Sequence, residues 1–233
     1  MRQLPLSVRL RDAARLASFV PGRNAEICSI LGGPCARWPR TLWLWGRAGT
    51  GKTHLLQAAC AAVGERGGAA AFFDLTQTAD SAVLQGCEGL ELVCLDGLDA
   101  VAADPAWNAA IFRLHTLMQD GAGRLVVSSE APPAQVPIAL ADLRSRLLAA
   151  SVHQLHDLDE AGQVAALQLR AARRGLELSA EAALYLLHRL PRDTASLFSM
   201  LDELDEASLA AQRRLTIPFL RAALEAGAGA QRD

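Results

Sequence analysis

The eight-residue segment Gly46-Arg47-Ala48-Gly49-Thr50-Gly51-Lys52-Thr53 constrains the fold of this chain more than any other feature. It follows the apolar run Leu42–Trp45 and leads into an apolar helix pattern that begins at Leu55. The spacing G-x-x-x-x-G-K-T between a strand pattern and a helix pattern is typical of a phosphate-binding loop. Glycines let the backbone turn closely around an anion, and the following helix directs its positive end at the same point. An ordinary glycine-rich turn is the alternative, and the Lys-Thr pair in register disfavours it.

The same residue types predict the chemistry of the site. Lys52 would reach the β- and γ-phosphates of a nucleotide, and the Thr53 hydroxyl would bind Mg²⁺. The next apolar strand pattern ends in Asp96, where phosphate-loop proteins place the acid that orients the metal, although an aspartate can also merely start a turn. Gly97 stands where many hydrolases have a second acid that polarises the attacking water. We therefore expect slow intrinsic hydrolysis unless Asp99 reaches the γ-phosphate.

The composition of the 233-residue chain excludes several classes of protein. A net charge of −2 provides no bulk attraction to nucleic acid or to an anionic membrane, and no apolar stretch approaches membrane-spanning length. The first twelve residues include Arg9, Arg11 and Asp12, which is unlike a secretory signal. Five cysteines without C-x-x-C spacing indicate free thiols of a cytoplasmic protein.

Apolar runs alternate with helix patterns through the first two thirds of the chain. The alternation predicts an α/β fold, with a five-stranded parallel sheet between helices. The predicted strands are Leu42–Trp45, Ala69–Leu75, Leu90–Leu95, Arg124–Ser128 and Val152–Leu155. The predicted helices are Asn24–Leu31, Lys52–Arg66, Asp80–Gln85, Pro105–Gln119 and Ile138–Leu148.

In the last third of the chain the pattern changes to helices alone. Asp159 is the predicted cap of a helix that ends near Arg173, and Ser179 is the predicted cap of a second helix. Further helix patterns cover 193–212 and 216–226. We expect four parts, in chain order: a flexible segment (1–12), a nucleotide-binding α/β domain (13–157), a small helical lid (158–226) and a disordered tail (227–233).

These pieces together resemble the AAA+ ATPases of the bacterial initiator DnaA group. The segment 51–56 (GKTHLL) is similar to that group's phosphate-loop ending, and 19–24 (FVPGRN) to its adenine-side segment. Ser145-Arg146-Leu147 resembles the motif that carries the arginine finger, and 165–171 and 212–219 resemble lid segments. Within the group the resemblance is strongest to the Hda family of initiation regulators, and it covers nearly the whole chain. Initiators continue into a helix-turn-helix domain, which we do not expect here.

The resemblance implies a site for ADP or ATP with Mg²⁺, formed by the phosphate loop, His54 and residues from later elements. Ser129, at the end of the fourth predicted strand, would face the nucleotide, although a serine-rich turn fits nearly as well. The third lid helix of the group carries an arginine that contacts the nucleotide. Ala195 occupies that position here, which leaves Arg192 as a candidate substitute. Three further arginines form a basic helix face that is solvated by default, with contact to a partner or DNA as the alternative: Arg170, Arg173 and Arg174.

Residues 3–8 (QLPLSV) resemble the hexapeptide with which this family binds the sliding clamp, the beta subunit of polymerase III. Leu4, Leu6 and Val8 would be apolar anchors in a groove of the clamp, and the Gln3 amide would add directional hydrogen bonds. Valine at the end and serine before it depart from the usual leucine and proline, so we expect a reduced affinity. A disordered terminus is the default for such a segment when it is considered alone.

By resemblance, the ADP-bound protein docks on the DNA-loaded clamp and presents Arg146 in trans to the ATP of DnaA. The guanidinium would stabilise the transferring γ-phosphate, so that initiator-ATP becomes initiator-ADP and replication initiation is inhibited. By spacing alone, Arg146 is equally well a solvated helix residue. On this interpretation we expect only indirect contact with DNA and no contact with a membrane. A homodimer or larger oligomer is possible. Two other functions stay open: an autonomous AAA+ ATPase of the helicase-loader type, and an adaptor that binds nucleotide for structure alone.

Overall fold

The structure is a computed structural model that describes residues 14–173, 175–189, 217–218 and 220–221. A five-stranded sheet forms its centre, with the strand order β2-β3-β4-β1-β5 and every neighbouring pair parallel. The predicted parallel sheet is thereby confirmed. Its strands are β1 (Thr41–Trp45), β2 (Ala70–Asp74), β3 (Leu92–Asp96), β4 (Arg124–Ser129) and β5 (Ser151–Gln154).

Burial explains why the inner strands appear in the sequence as continuous apolar runs. Strands β3 and β4 are buried along their whole length, and in β1 only the last residue is partly exposed. Both faces of these strands are covered, so both sets of alternating side chains are apolar. The edge strand β5 instead alternates between half-buried and exposed side chains.

Four helices cover the two faces of the sheet. Two apolar clusters result, one on each face: Ile27 and Leu55 contribute to the first, and Ile111 and Leu143 to the second. The sheet is therefore the middle layer of three. On the first face lie α1 (Ala25–Gly32) and α2 (Lys52–Glu65), and on the second lie α3 (Pro105–Asp120) and α4 (Ala141–Leu148).

Two predicted helices differ from the structure. The one between β2 and β3 is a single 3-10 turn, Ser81–Leu84, in which the Ala82 amide donates to the Asp80 carboxylate at 2.9 Å. The helix before β5 begins later than predicted, at Ala141, because Leu140 keeps an extended backbone. The Leu140 amide donates to the Asn108 side-chain oxygen at 3.0 Å, a contact that a helical Leu140 would change.

The helical region after β5 begins as predicted. The structure contains α5 (Glu160–Arg173) and α6 (Ala180–Arg189). The carboxylate of Asp159 and the hydroxyl of Ser179 each accept the main-chain amide three residues on, at 2.8 and 3.1 Å, so both predicted N-caps are confirmed. A separate apolar cluster joins these helices and includes Leu167, Ala171, Ala183, Leu186 and Leu220.

Several predicted segments fall outside the described residues. These are the N-terminal segment 1–12, the third lid helix at 193–212, most of the fourth at 216–226, and the tail 227–233. The division of the chain into four parts accordingly stays a prediction. All five cysteines are free thiols, as expected. Within the part of the chain that the structure describes, no helix has the length and apolar character to cross a bilayer.

Candidate functional site

The predicted phosphate loop joins β1 to α2 at the carboxyl edge of the sheet. Gly49 and Gly51 have φ angles of 84° and 92°, a region that residues with a Cβ adopt only at a cost. A Cβ on Gly51 would lie 2.6 Å from the ring of Phe19, and a Cβ on Gly46 would lie 2.6 Å from the carbonyl oxygen of Leu155. The loop glycines are therefore required both by backbone conformation and by close packing.

Lys52 is the only lysine of the chain, and its side chain turns back along the loop. Its Nζ donates to the carbonyl oxygens of Gly46 and Arg47, at 2.5 and 2.9 Å. Burial lowers the pKa of Lys52, and attraction to nearby carboxylates opposes the shift. The loop thus carries one ammonium at an acidic end of the site, where four carboxylates act on it: Glu130, Asp96, Asp99 and Asp157.

The two predicted metal ligands are in direct contact. The Thr53 hydroxyl donates to Oδ2 of Asp96 at 2.6 Å, and Oδ1 of Asp96 accepts from the Ser128 hydroxyl. Asp96 is only 7% exposed, so these two hydroxyls fix its orientation. One hydroxyl and one carboxylate, completed by phosphate and water oxygens, form a ligand set that suits Mg²⁺. The residues present therefore fit the predicted metal.

Ser129 does not share this arrangement. Its hydroxyl donates to the carbonyl oxygen of Ala131, and only its main-chain carbonyl contacts the phosphate loop, accepting the Gly46 amide at 3.3 Å. Side chains alternate along a strand, so Ser128 lies on the face of Asp96 and Ser129 on the other face. The sequence analysis named Ser129 as a residue that faces the nucleotide, and that role stays a prediction. It did not name Ser128, the serine that contacts Asp96.

Two further carboxylates reach this end of the site. Asp99 lies in the turn that follows β3, and its carboxylate accepts the Glu130 amide at 2.8 Å. Gly97, with φ of 76°, allows the chain to turn there. The turn therefore brings Asp99 into the set of carboxylates that act on Lys52. Its contact with the γ-phosphate stays a prediction. Glu130 was missed, although its place directly after β4 at the same edge of the sheet was a usable signal.

A cleft of about 730 Å³, including space open to solvent, lies between the phosphate loop and the first lid helix. His54 lies in its wall, 5.8 Å from the Phe19 ring between centroids, with Nε2 3.1 Å from the Arg15 carbonyl oxygen. Burial lowers the pKa of His54, and the positive charges of two lid arginines lower it further. The lining comprises Ser18, Phe19, Val20, Gly49, Thr50, Gly51, His54, Leu158, Ala166, Arg170 and Arg173.

The position of the basic helix face corrects the default prediction. Arg170 and Arg173 line the cleft opposite the phosphate loop, so this face of α5 is not simply solvated. Arg174 lies outside the described residues. The spacing of these arginines on the helix can be read from the sequence, but the rotation of the helix about its axis cannot. Packing of Leu167 and Ala171 into the lid cluster sets that rotation.

Segment 19–24, which the resemblance assigns to the adenine side, is anchored where the lid region begins. Asn24 is 3% exposed, and its side-chain amide pairs with the backbone of His156: Nδ2 donates to the carbonyl oxygen at 3.0 Å, and Oδ1 accepts the amide at 2.8 Å. A Cβ on Gly22 would lie 2.9 Å from the Leu158 side chain. Segment 19–24 is therefore held against the junction between β5 and α5.

Arg146 lies on α4, on the face of the sheet opposite to α2. Its guanidinium is 4.6 Å from the centroid of the Phe112 ring in α3, a cation–π contact that restricts its rotamers. The residue is half-buried, whereas Arg144 on the same helix is exposed. Arg146 is thus held in place by α3 and is not among the residues that line the cleft.

Comparison with known proteins agrees with this geometry. A family model described as the Hda lid domain matches residues 159–224. Domain III of DnaA from Thermotoga maritima superimposes with a TM-score of 0.75 at 16% identity, covering 92% of this chain and 96% of that one. AMPPCP-bound DnaA from Aquifex aeolicus gives 0.69 at 19% identity, over 83% of this chain and 65% of that one. A DNA replication initiation factor gives 0.67 at 18% identity, over 81% and 63%.

The chain has a DnaA-type AAA+ fold, and its residues 159–224 match the model of the Hda lid domain. The resemblance inferred from the sequence is confirmed in these two respects: the fold over most of the chain and the family of the lid segment. The chain spans less than two thirds of the length of the second and third of these structures. The matched segment contains α5 and α6, so the cleft described above lies between this segment and the phosphate loop.

Some candidate residues of this AAA+ chain are not placed by the structure. Gln3, Leu4, Leu6 and Val8 of the predicted clamp segment lie outside the described residues, as do Arg192 and Ala195 of the lid. Their assigned roles stay predictions.

Proposed function

We propose that this chain binds ADP or ATP, with Mg²⁺, between its phosphate loop and its lid. The observation that carries the proposal is that Lys52, Thr53 and Asp96 meet at one end of α2. Thr53 and Asp96 would hold the metal, which would neutralise phosphate charge when it is bound. The DnaA structure from Aquifex aeolicus, with the same fold, is bound to AMPPCP, an adenine nucleotide analogue.

We further propose that the protein is a cytoplasmic regulator of replication initiation that stimulates hydrolysis of the ATP bound to DnaA. The match of residues 159–224 to the Hda lid supports this proposal. Arg146 supports it as well, because a guanidinium fixed by an aromatic ring, away from its own phosphate loop, is suited to the γ-phosphate of a neighbouring molecule. It would stabilise the charge that develops on that phosphate in the transition state.

Docking on the DNA-loaded sliding clamp would place the protein where it can contact DnaA. Gln3, Leu4, Leu6 and Val8 are the proposed contacts, and the support for them is the resemblance of the hexapeptide. The several equivalent grooves of a ring would add avidity to a peptide of modest affinity. DNA would be contacted only through the clamp.

The test measures ATP hydrolysis by DnaA in the presence of this protein and DNA-loaded clamp. Arg146→Ala should abolish the stimulation, while Arg144→Ala, an exposed arginine on the same helix, should leave it unchanged. Replacing Gln3, Leu4 and Leu6 together by alanine should also abolish it. Stimulation by Arg146→Ala at the wild-type level would contradict the proposed trans role and, if clamp binding persists, would favour the adaptor function.

One observation favours the second candidate, an autonomous ATPase. Asp99 lies close enough to Lys52 to act on its charge, and the hydrogen bond to Glu130 fixes its carboxylate. An autonomous enzyme would hydrolyse many equivalents of ATP without DnaA, and both Asp96→Asn and Asp99→Asn would stop it. The proposed regulator would instead show little hydrolysis alone, with no further loss in the Asp99→Asn variant.

A further inference from the structure

One stripe of the first lid helix faces the cleft. Ala166, Arg170 and Arg173 follow the spacing i, i+4, i+7, which places them on one side of α5, and all three line the cleft. Leu167 and Ala171 hold the helix in this rotation because they are buried in the lid cluster. The arginines therefore face the phosphate loop as a consequence of how the lid core is packed.

The candidate site carries opposite charges at its two ends. Around Lys52 the neighbouring groups are carboxylates, which suits a metal ion and the terminal phosphate. Around His54 the neighbouring charges are the guanidinium groups of Arg170 and Arg173. The wall opposite these arginines is formed by Gly49, Thr50 and Gly51, directly before the positive end of α2. Two positive walls that face each other favour an anion between them.

We propose that Arg170 and Arg173 bind the α- and β-phosphates of the nucleotide from the lid side, opposite the phosphate loop. This inference rests on the proposed nucleotide site and adds to it a second wall of phosphate ligands. The apolar part of the lining, Phe19, Val20 and Leu158, is left for the base.

The position of the lid arginines bears on the preference between ADP and ATP. The lining of the cleft includes the middle of the phosphate loop but not Asp96 or Lys52. The lid arginines would therefore act on the phosphates that ADP and ATP have in common, and they would not discriminate between the two. Charge-assisted contacts of this kind contribute roughly tenfold in affinity per arginine.

The test compares ADP and ATP binding by calorimetry for wild-type protein, Arg170→Gln/Arg173→Gln and a matched control. Arg113→Gln/Arg144→Gln is the control, because it removes the same charge from exposed positions on α3 and α4. We expect the lid variant to lose about 10- to 100-fold in affinity for both nucleotides alike, with a weaker dependence on salt. The control should bind both nucleotides like the wild type. Affinity of the lid variant within twofold of wild type would overturn the proposal.

A second measurement uses the single lysine. Acylation of amines followed by mass spectrometry reports on Lys52 alone within the chain beyond its amino terminus. The ADP concentration that half-protects Lys52 should rise in the lid variant by the same factor as the calorimetric dissociation constant. Equal protection in wild type and lid variant would count against the proposal, and circular dichroism on each variant establishes that it is folded.

Failure of this proposal is distinguishable from failure of the nucleotide site. If wild-type protein binds ADP, Lys52→Ala does not, and the lid variant binds normally, the site stands and the role of the arginines is refuted. If wild-type protein binds neither nucleotide, both proposals fall. If the lid variant loses affinity for adenosine as strongly as for ADP, the arginines act on the base or on lid packing, which also refutes a phosphate contact.

Discussion

The two ends of the candidate site are built in different ways. The inner end takes Lys52 and Thr53 from consecutive positions at the start of α2, and Asp96 from the end of β3, which β4 separates from β1. The outer end joins Phe19, Leu158 and Arg170, which are far apart in the sequence. The inner end is therefore a local structure that a short motif can specify. The outer end depends on how three separate segments are placed against one another.

The largest expected effect is a loss of nucleotide affinity when the inner end is changed. Lys52→Ala should lower the affinity for ADP and ATP by more than about 100-fold, because it removes the only ammonium at the acidic end of the site. Calorimetric titration measures this loss, and an unchanged thermal unfolding temperature is the control for folding. A loss of less than about threefold would mean that the loop is not the principal phosphate site.

The difference between the two ends also explains which features could be predicted from the sequence and which could not. The buried strands and the loop were correct because an apolar run or a glycine pattern is determined by neighbouring residues. Ser128 was missed at the contact with Asp96, since a shift of one residue along a strand reverses the face. Arg170 and Arg173 were misjudged for a related reason: the rotation of α5 is fixed by its partners in the lid cluster, which its own spacing does not reveal.

The second prediction concerns Gly51, where the two ends meet. Gly51→Ala should lower the free energy of unfolding by about 2 kcal/mol, because φ is 92° and the new Cβ would lie 2.6 Å from Phe19. Gly64→Ala is the matched control: it lies in α2 with nothing near its Cβ position, and it should stabilise by up to about 1 kcal/mol. Chemical denaturation measures both values. Equal stability of the two variants would show that Phe19 and the loop are not packed as described.

The third prediction separates the outer end from the inner one. Asn24→Ala should cost about 1 to 2 kcal/mol of unfolding free energy, since it leaves the buried amide and carbonyl of His156 without their partner. Nucleotide affinity should also fall, because segment 19–24 forms the apolar side of the cleft. Amide exchange of His156, followed by NMR, should accelerate in the variant. Unchanged exchange would show that Asn24 does not anchor the junction.

The fourth prediction removes the metal at the inner end. In wild-type protein, chelation of Mg²⁺ should weaken ATP binding by about tenfold, or about 1.4 kcal/mol, because Thr53 and Asp96, which are in contact, are the proposed ligands of an ion beside the phosphates. In Asp96→Asn the affinity should be lower at the outset and insensitive to the chelator. The lid variant with Arg170→Gln and Arg173→Gln should keep the full Mg²⁺ dependence. If that variant also lost it, the two ends would not be independent.

The smallest expected effect is a pH dependence at the outer end. Burial holds the pKa of His54 below its usual value; the hydrogen bond to the Arg15 carbonyl opposes this shift, and the charges of the lid arginines add to it. The folded protein therefore takes up this proton less readily than the unfolded chain, so stability is lost as the pH falls below about 6.5. Between pH 7 and pH 5 the loss should be less than about 1 kcal/mol, and it should be smaller in His54→Gln. Bound ADP should raise the pKa of His54, because phosphate attracts the imidazolium, and imidazole NMR would detect the change. A pKa that ADP leaves unchanged would place the phosphates away from the outer end and restrict them to the loop.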